Sequence, residues 1–112
     1  MRATTLGLTS VLALCAAYPA LAEMTFNRIA TFATPLNMAA GEDTSRESSA
    51  EIIAASEDGM TLVYTDSPLG VIGFIDITDP RAPKPLGNVD VGGEPTTAQI
   101  IGGKAFTAVN TS

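Results

Sequence analysis

Apolar and polar positions alternate or cluster along this chain in short runs separated by glycine, proline and acidic turns, the pattern of strands and tight connections. The clearest unit lies between Val71 and Pro95. Val71 to Thr78 is rich in β-branched and aromatic residues, which suit a pleated, packed surface, and it predicts a strand. Asp79-Pro80 ends it, because Pro80 lacks a backbone donor and fixes its own φ, and Pro83 and Pro85 keep the connection extended. Leu86 to Val91 then sets Val89 and Val91 against Asn88 and Asp90, the period of two expected of a strand with one wet face. Gly92-Gly93 closes the unit as a tight turn.

Upstream, Ala50 to Ser56 is a compact apolar run centred on Ile52 and Ile53, Glu57-Asp58-Gly59 supplies a turn, and Met60 to Thr65 resumes with Leu62, Val63 and Tyr64. This predicts a β-hairpin, with a short helix over Ala50 to Ser56 as the alternative that alanine and glutamate allow. Asp66 to Gly70 turns the chain into the strand at Val71, so four strands follow one another as an antiparallel meander. Earlier still, Thr25 to Thr34 alternates weakly before Pro35 and predicts another strand, whereas Leu36 to Ser49 is a polar loop.

The hairpin pattern returns. Gly59 to Ser67 matches Gly103 to Thr111 at an offset of 44 residues. Units of about 40 to 45 residues with four strands each are the signature of β-propeller blades, with a β-sandwich as the competing architecture. The apolar runs at Ile52 and Ile75 suit strands covered on both faces, as between neighbouring blades, and Asn88 and Asp90 suit an outer edge. The fold class expected is therefore all-β: antiparallel four-stranded meander repeats, about one and a half blades at the N-terminal end of a propeller.

Length and charge narrow the function classes. The chain has 112 residues, with 12 acidic and 6 basic residues, no histidine and a formal net charge of −6, which makes nucleic acid a poor partner. Arg2, the apolar run from Leu6 to Ala17 and the small-x-small triplet Ala20-Leu21-Ala22 read as a cleaved signal peptide over residues 1–22, too short to span a bilayer. The remainder divides into 23–48, an N-terminal strand and polar loop; 49–94, a first blade; and 95–112, the start of a second, truncated one. Cleavage would remove Cys15, the single cysteine, and with it any disulfide or thiolate metal site. The expected location is the periplasm or the medium, with no membrane partner after cleavage.

Gly73-Phe74-Ile75-Asp76-Ile77-Thr78-Asp79-Pro80, with Pro83 and Pro85-Leu86-Gly87, resembles the LVIVD-type propeller repeat. The wider run, Ser49 to Ser56 and Leu62 to Ser67, is similar to the amino-terminal end of secreted bacterial propellers labelled phytase-like esterases or alkaline phosphatases. The resemblance covers residues 47 to 112. It implies a parent that hydrolyses phosphoric or carboxylic esters and a fragment inactive by itself; a non-catalytic propeller scaffold binding a protein or glycan is the alternative. A fragment of this kind would also self-associate through exposed strand edges.

The order of the meander places Glu51, Asp66 and Glu94 at one end of the sheet, and Glu42, Asp43 and Glu47 lie in the loop that feeds it. Oxygen ligands of this kind suit Ca²⁺ or another divalent cation, and Glu47, Glu51, Asp66 and Glu94 are the expected ligands. The bland reading is that acidic side chains populate solvated loops, with Asp66 and Asp79 as turn formers. Serines are plentiful at Ser45, Ser48, Ser49, Ser56 and Ser67, but no histidine can serve as their base, so catalytic residues are not assignable. Gly92-Gly93 lacks the longer pattern of a phosphate loop, and Arg28, Arg46 and Lys104 are isolated cations.

Overall fold

The structure, a computed structural model, describes residues 24–112; the expected signal peptide and Cys15 lie outside the described residues. Six strands form: β1 (Ala50–Ala55), β2 (Thr61–Asp66), β3 (Val71–Asp76), β4 (Lys84–Asp90), β5 (Glu94–Ile101) and β6 (Lys104–Asn110). They make two antiparallel sheets, a four-stranded meander in the order β1-β2-β3-β4 and a two-stranded hairpin β5-β6. The all-β expectation and the meander are as the sequence pattern predicts. No described helix is long and apolar enough to cross a membrane.

The offset of 44 residues holds in the pairing itself. Ile53 opposite Tyr64 becomes Thr97 opposite Ala108, Ala54 opposite Val63 becomes Ala98 opposite Thr107, and Ala55 opposite Leu62 becomes Gln99 opposite Phe106. Both hairpins slip register at corresponding points, between Ala50 and Ile53 and between Pro95 and Thr97, as a bulge does. The turns fall at corresponding places but differ in length: Ser56 to Met60 joins the first pair, with the Gly59 amide bonded to the Ser56 carbonyl at 2.9 Å, whereas Gly102-Gly103 alone joins the second. Gly59 and its counterpart Gly103 have φ of 71° and 73°, a conformation that disfavours a Cβ.

Strand alternation gives the meander two apolar faces. Val63 and Ile72 lie on one, where they form a buried cluster with Ala98 and Ile100 of β5, flanked by Ala54, Phe74 and Val91. Burying such side chains contributes about 1.5–3 kcal/mol each, so this layer contact is the main source of cohesion between the sheets. β5 lies across β1 and β2 and reaches β3, and it carries the packing of the hairpin on the meander. Because Ala54 pairs with Val63, and Ala98 with Thr107, equivalent positions of the two repeats face each other across the interface.

Three expectations are corrected. Thr25 to Thr34 is not a strand: it runs without regular pairing into a 3-10 turn at Thr34–Asn37, with Pro35 near the start of the turn, where a missing donor costs nothing. Its alternation has no strand beside it to pair with, and Met24 and Phe26 are exposed. Ile52 and Ile53 of β1 are not sandwiched, being 41% and 60% exposed, because β1 is an edge strand. In β4 it is Val89 that is exposed and Asn88 that is half-buried, since Asn88 pairs with Gly73 on the face under Tyr64, whereas Val89 lies beyond the reach of β5.

Candidate binding groove

The second face of the meander carries Leu62, Tyr64 and Asp66 of β2 with Ile75 of β3, and the N-terminal segment lies over it. Asn37, only 3% exposed, holds that segment down. Its Nδ2 donates to the Tyr64 hydroxyl at 2.9 Å and to the Phe74 carbonyl at 3.0 Å, and its Oδ1 accepts from the Gly87 amide at 2.9 Å. The Gly87 amide is available because the β3–β4 pairing slips between Phe74 and Ile75. One side chain thereby ties the 3-10 turn to three strands.

Tyr64 fits only because its cross-strand partner is Gly73. A Cβ on residue 73 would approach the Tyr64 ring far inside van der Waals contact, so the ring lies directly on the glycine backbone. Burial pushes the Tyr64 hydroxyl above its ordinary value of 10.0; the bond from Asn37 works the other way, and the Asp66 carboxylate adds to the rise. The Tyr64 hydroxyl also lies 3.5 Å from Asn88 Oδ1.

Beside this staple a groove of about 300 Å³ stays open, lined by Ile29 and Phe32 of the N-terminal segment, by Ile53, Leu62 and Ile75 of the sheet, and by Pro83. Its polar lining residues are few: Thr31, Thr34 and Tyr64. A concave, apolar site with a small number of polar groups binds apolar ligands or side chains by displacing water.

The acidic residues take other places. Asp66 is 1% exposed and points inward, its Oδ2 accepting from the Ser48 hydroxyl at 2.5 Å and its Oδ1 from the Leu69 amide at 3.3 Å. Ser48 Oγ is also 2.7 Å from Thr34 Oγ1, so the buried carboxylate helps to seat the N-terminal segment. Glu51 is exposed and accepts from Ser67 Oγ at 2.7 Å, and Ser67 Oγ lies 3.3 Å from the Pro95 carbonyl. The structure thus brings Glu51 and the start of β5 to one end of the sheet, as the meander order predicts. Glu47 and Glu94 are exposed, and among the described residues no three carboxylate, histidine or cysteine side chains converge on a common point that could hold a metal.

Several other aspartates close turns. The Ser45 hydroxyl and amide hold Asp43 below its ordinary carboxylate range, Ser56 Oγ and the Met60 amide do the same for Asp58, and Thr78 does so for Asp76. Asp79 accepts from the Arg81 amide at 3.0 Å. Ser56 Oγ donates to Asp58 at 2.6 Å in the first hairpin turn, and Ser45 Oγ donates to Asp43, also at 2.6 Å. Among the described residues every buried side-chain nitrogen and oxygen has a hydrogen-bond partner, so no unpaired polar group marks a second site.

Asn37, Gly73 and the groove escape sequence reasoning. Asn37 sits in an unremarkable Thr-Pro-Leu-Asn run, and its partners are 27, 37 and 50 residues away. The Tyr64–Gly73 pair had a usable signal, an aromatic placed opposite a glycine once the β2–β3 turn is drawn. In comparisons with known proteins, no family model, curated protein or solved structure matches this chain.

Proposed function

We propose that the chain is a non-catalytic, repeat-built β scaffold of an exported protein, and that it works by taking an apolar element of a partner protein against the second face of its meander. The observation that carries this reading is the groove over Ile53, Leu62 and Ile75. A sheet with apolar residues on both faces is a middle layer, and here one face is covered by β5 while the other is covered only in part by the N-terminal segment. An aliphatic groove of this kind suits protein side chains better than a glycan.

The four-stranded meander and the 44-residue repeat support the propeller architecture that the LVIVD resemblance implies. The meeting of equivalent faces supports the sandwich instead. Blades arranged about a ring turn opposite faces to their neighbours, so a ring would bring Ile101 and Phe106 of the hairpin toward the meander, whereas Ala98 and Ile100 face it. For residues 50–110 we take the two-layer packing as the working architecture.

The ester- or phosphoric-ester-hydrolase reading rests on the resemblance alone. A nucleophile needs a base within hydrogen-bond reach; the serines that contact Asp43, Asp58, Asp66 and Glu51 serve turns and strand ends.

Nile red fluorescence tests the groove. Ile53, 60% exposed, can become lysine with little effect on folding, and Ile53→Lys is expected to cut dye binding about fivefold or more through the charge placed in an apolar site. Phe106→Lys, at an exposed residue outside the groove, serves as the control. Equal dye binding by wild type and Ile53→Lys, with loss in the control, would place the apolar site elsewhere.

A further inference from the structure

A second, smaller pocket of about 200 Å³ lies where the polar loop before β1 meets the start of β3 and the end of β4. It shares no lining residue with the groove. Leu69 and Val71 supply its apolar part, and Glu42, Arg46, Asn88 and Asp90 its polar part. Asn88 and Asp90 stand two residues apart on β4, opposite Gly73 and Val71, so both project from the face that carries Tyr64. The charged side chains are exposed, whereas Leu69, Val71 and Asn88 are half-buried beneath them.

The polar groups are set in place by bonds that use only part of their capacity. Glu42 Oε2 accepts from the Ala39 amide at 3.3 Å, and Asp90 Oδ1 accepts from the Gly92 amide at 2.8 Å, so each carboxylate keeps its second oxygen for the pocket. Asn88 Oδ1 lies 3.5 Å from the Tyr64 hydroxyl, which leaves the Asn88 amide nitrogen as a donor. Arg46 is placed by a turn in which its amide donates to the Asp43 carbonyl at 3.2 Å. The neighbouring Asp43 carboxylate is engaged by the Ser45 amide and hydroxyl, at 2.9 and 2.6 Å.

Two carboxylates and one guanidinium above an aliphatic floor ask for a ligand with one anionic group, two cationic groups and an apolar stem. The volume falls below the roughly 300–1,000 Å³ of sites for drug-sized ligands, so the ligand is small. We propose that this pocket binds a free basic α-amino acid of the lysine class. Arg46 pairs with the α-carboxylate, and Glu42, four residues away on the same loop, takes the α-ammonium. Asp90, across the pocket on β4, takes the side-chain cation, and the stem lies over Leu69 and Val71. A lysine inside a polypeptide has no α-carboxylate for Arg46, so the free amino acid is the occupant that uses all three charges. These ion pairs are open to solvent, which puts the affinity in about the millimolar range. The proposal is independent of the groove and of its occupant.

Amide NMR titration of the full chain with L-lysine, L-norleucine and cadaverine tests this. L-Lysine is expected to give saturable shifts at Arg46, Val71 and Asn88. L-Norleucine, which lacks the side-chain cation, and cadaverine, which lacks the carboxylate, are each expected to bind about threefold or more weakly than L-lysine. Asp90→Asn keeps an acceptor for the Gly92 amide; it should weaken L-lysine about threefold or more and leave L-norleucine unchanged. Arg46→Gln should weaken L-lysine to the same degree and leave cadaverine unchanged. The dispersion of the same spectra reports whether each variant keeps the fold. Absence of saturable shifts up to about 50 mM L-lysine, equal affinity for the three ligands, or wild-type L-lysine binding by Arg46→Gln overturns the proposal.

Discussion

Replacing Asn37 by alanine should destabilise this protein more than any other single change to a loop residue. The substitution removes three hydrogen bonds of 2.9, 3.0 and 2.9 Å and leaves the Phe74 carbonyl and the Gly87 amide without their partner in a half-buried place. Each net hydrogen bond contributes about 0.5–1.5 kcal/mol, and an unsatisfied buried group costs about 1–3 kcal/mol. Water entering the vacated space offsets part of the second cost, which leaves a loss of about 2–4 kcal/mol. Domains of this size hold a total of about 5–10 kcal/mol, so the effect is a large share of the whole. With a urea slope of about 1 kcal/mol/M, the unfolding midpoint should fall by about 2 M or more. Asn37→Asp keeps an acceptor for Gly87 but offers no donor to Phe74, and should recover less than half of the loss. A midpoint shift below about 0.5 M in Asn37→Ala would refute the staple.

Other outcomes follow from the same geometry. Gly73→Ala should cost about 1–3 kcal/mol in urea unfolding because the new Cβ meets the Tyr64 ring, and the cost should shrink by more than half when Tyr64 is also alanine. The Tyr64 hydroxyl, raised above 10.0 in the folded state, contributes stability that is complete below pH 10.0 and is lost as pH rises through its folded value. In a Tyr18→Phe background, absorbance at 295 nm should therefore show Tyr64 titrating above 10.0, and titration at or below 10.0 would contradict its burial. Asp58 is depressed below 3.8, so its stabilising effect is present above that value and fades as pH falls through the folded one. Carboxyl NMR should show its titration moving upward in Ser56→Ala, and an unchanged titration would remove the hydroxyl as the main cause.

The meander was legible because its signals are local: Asp58-Gly59 fixes the first turn, Pro80 and Pro83 break the chain, and β-branched residues fill β3. The repeat was legible for the same reason, since the turn and the bulge recur at the same spacing as the residues around them. What the sequence does not declare is which surface meets which. The alternation from Thr25 to Thr34 resembles that of a strand, but a strand needs an edge to pair with, and Asn37 instead draws this segment over the face of the sheet. Asp66 reads as a turn former at the end of the sheet, and it does accept the Leu69 amide, but its other oxygen is buried against Ser48 from a loop 18 residues upstream. Exposure of Ile52 and Ile53 is likewise a matter of strand order, which hydrophobicity alone does not encode.

The two-layer packing of the repeats is tested most directly by methyl NOE spectroscopy on isoleucine- and valine-labelled protein. Val63 and Ile72 should show cross-peaks to Ile100 and none to Ile101, because equivalent faces of the two hairpins meet in the core. Cross-peaks from Ile101 to Val63 or Ile72, with none from Ile100, would mean that the hairpin turns its other face to the meander, as a blade in a ring does, and would contradict the account.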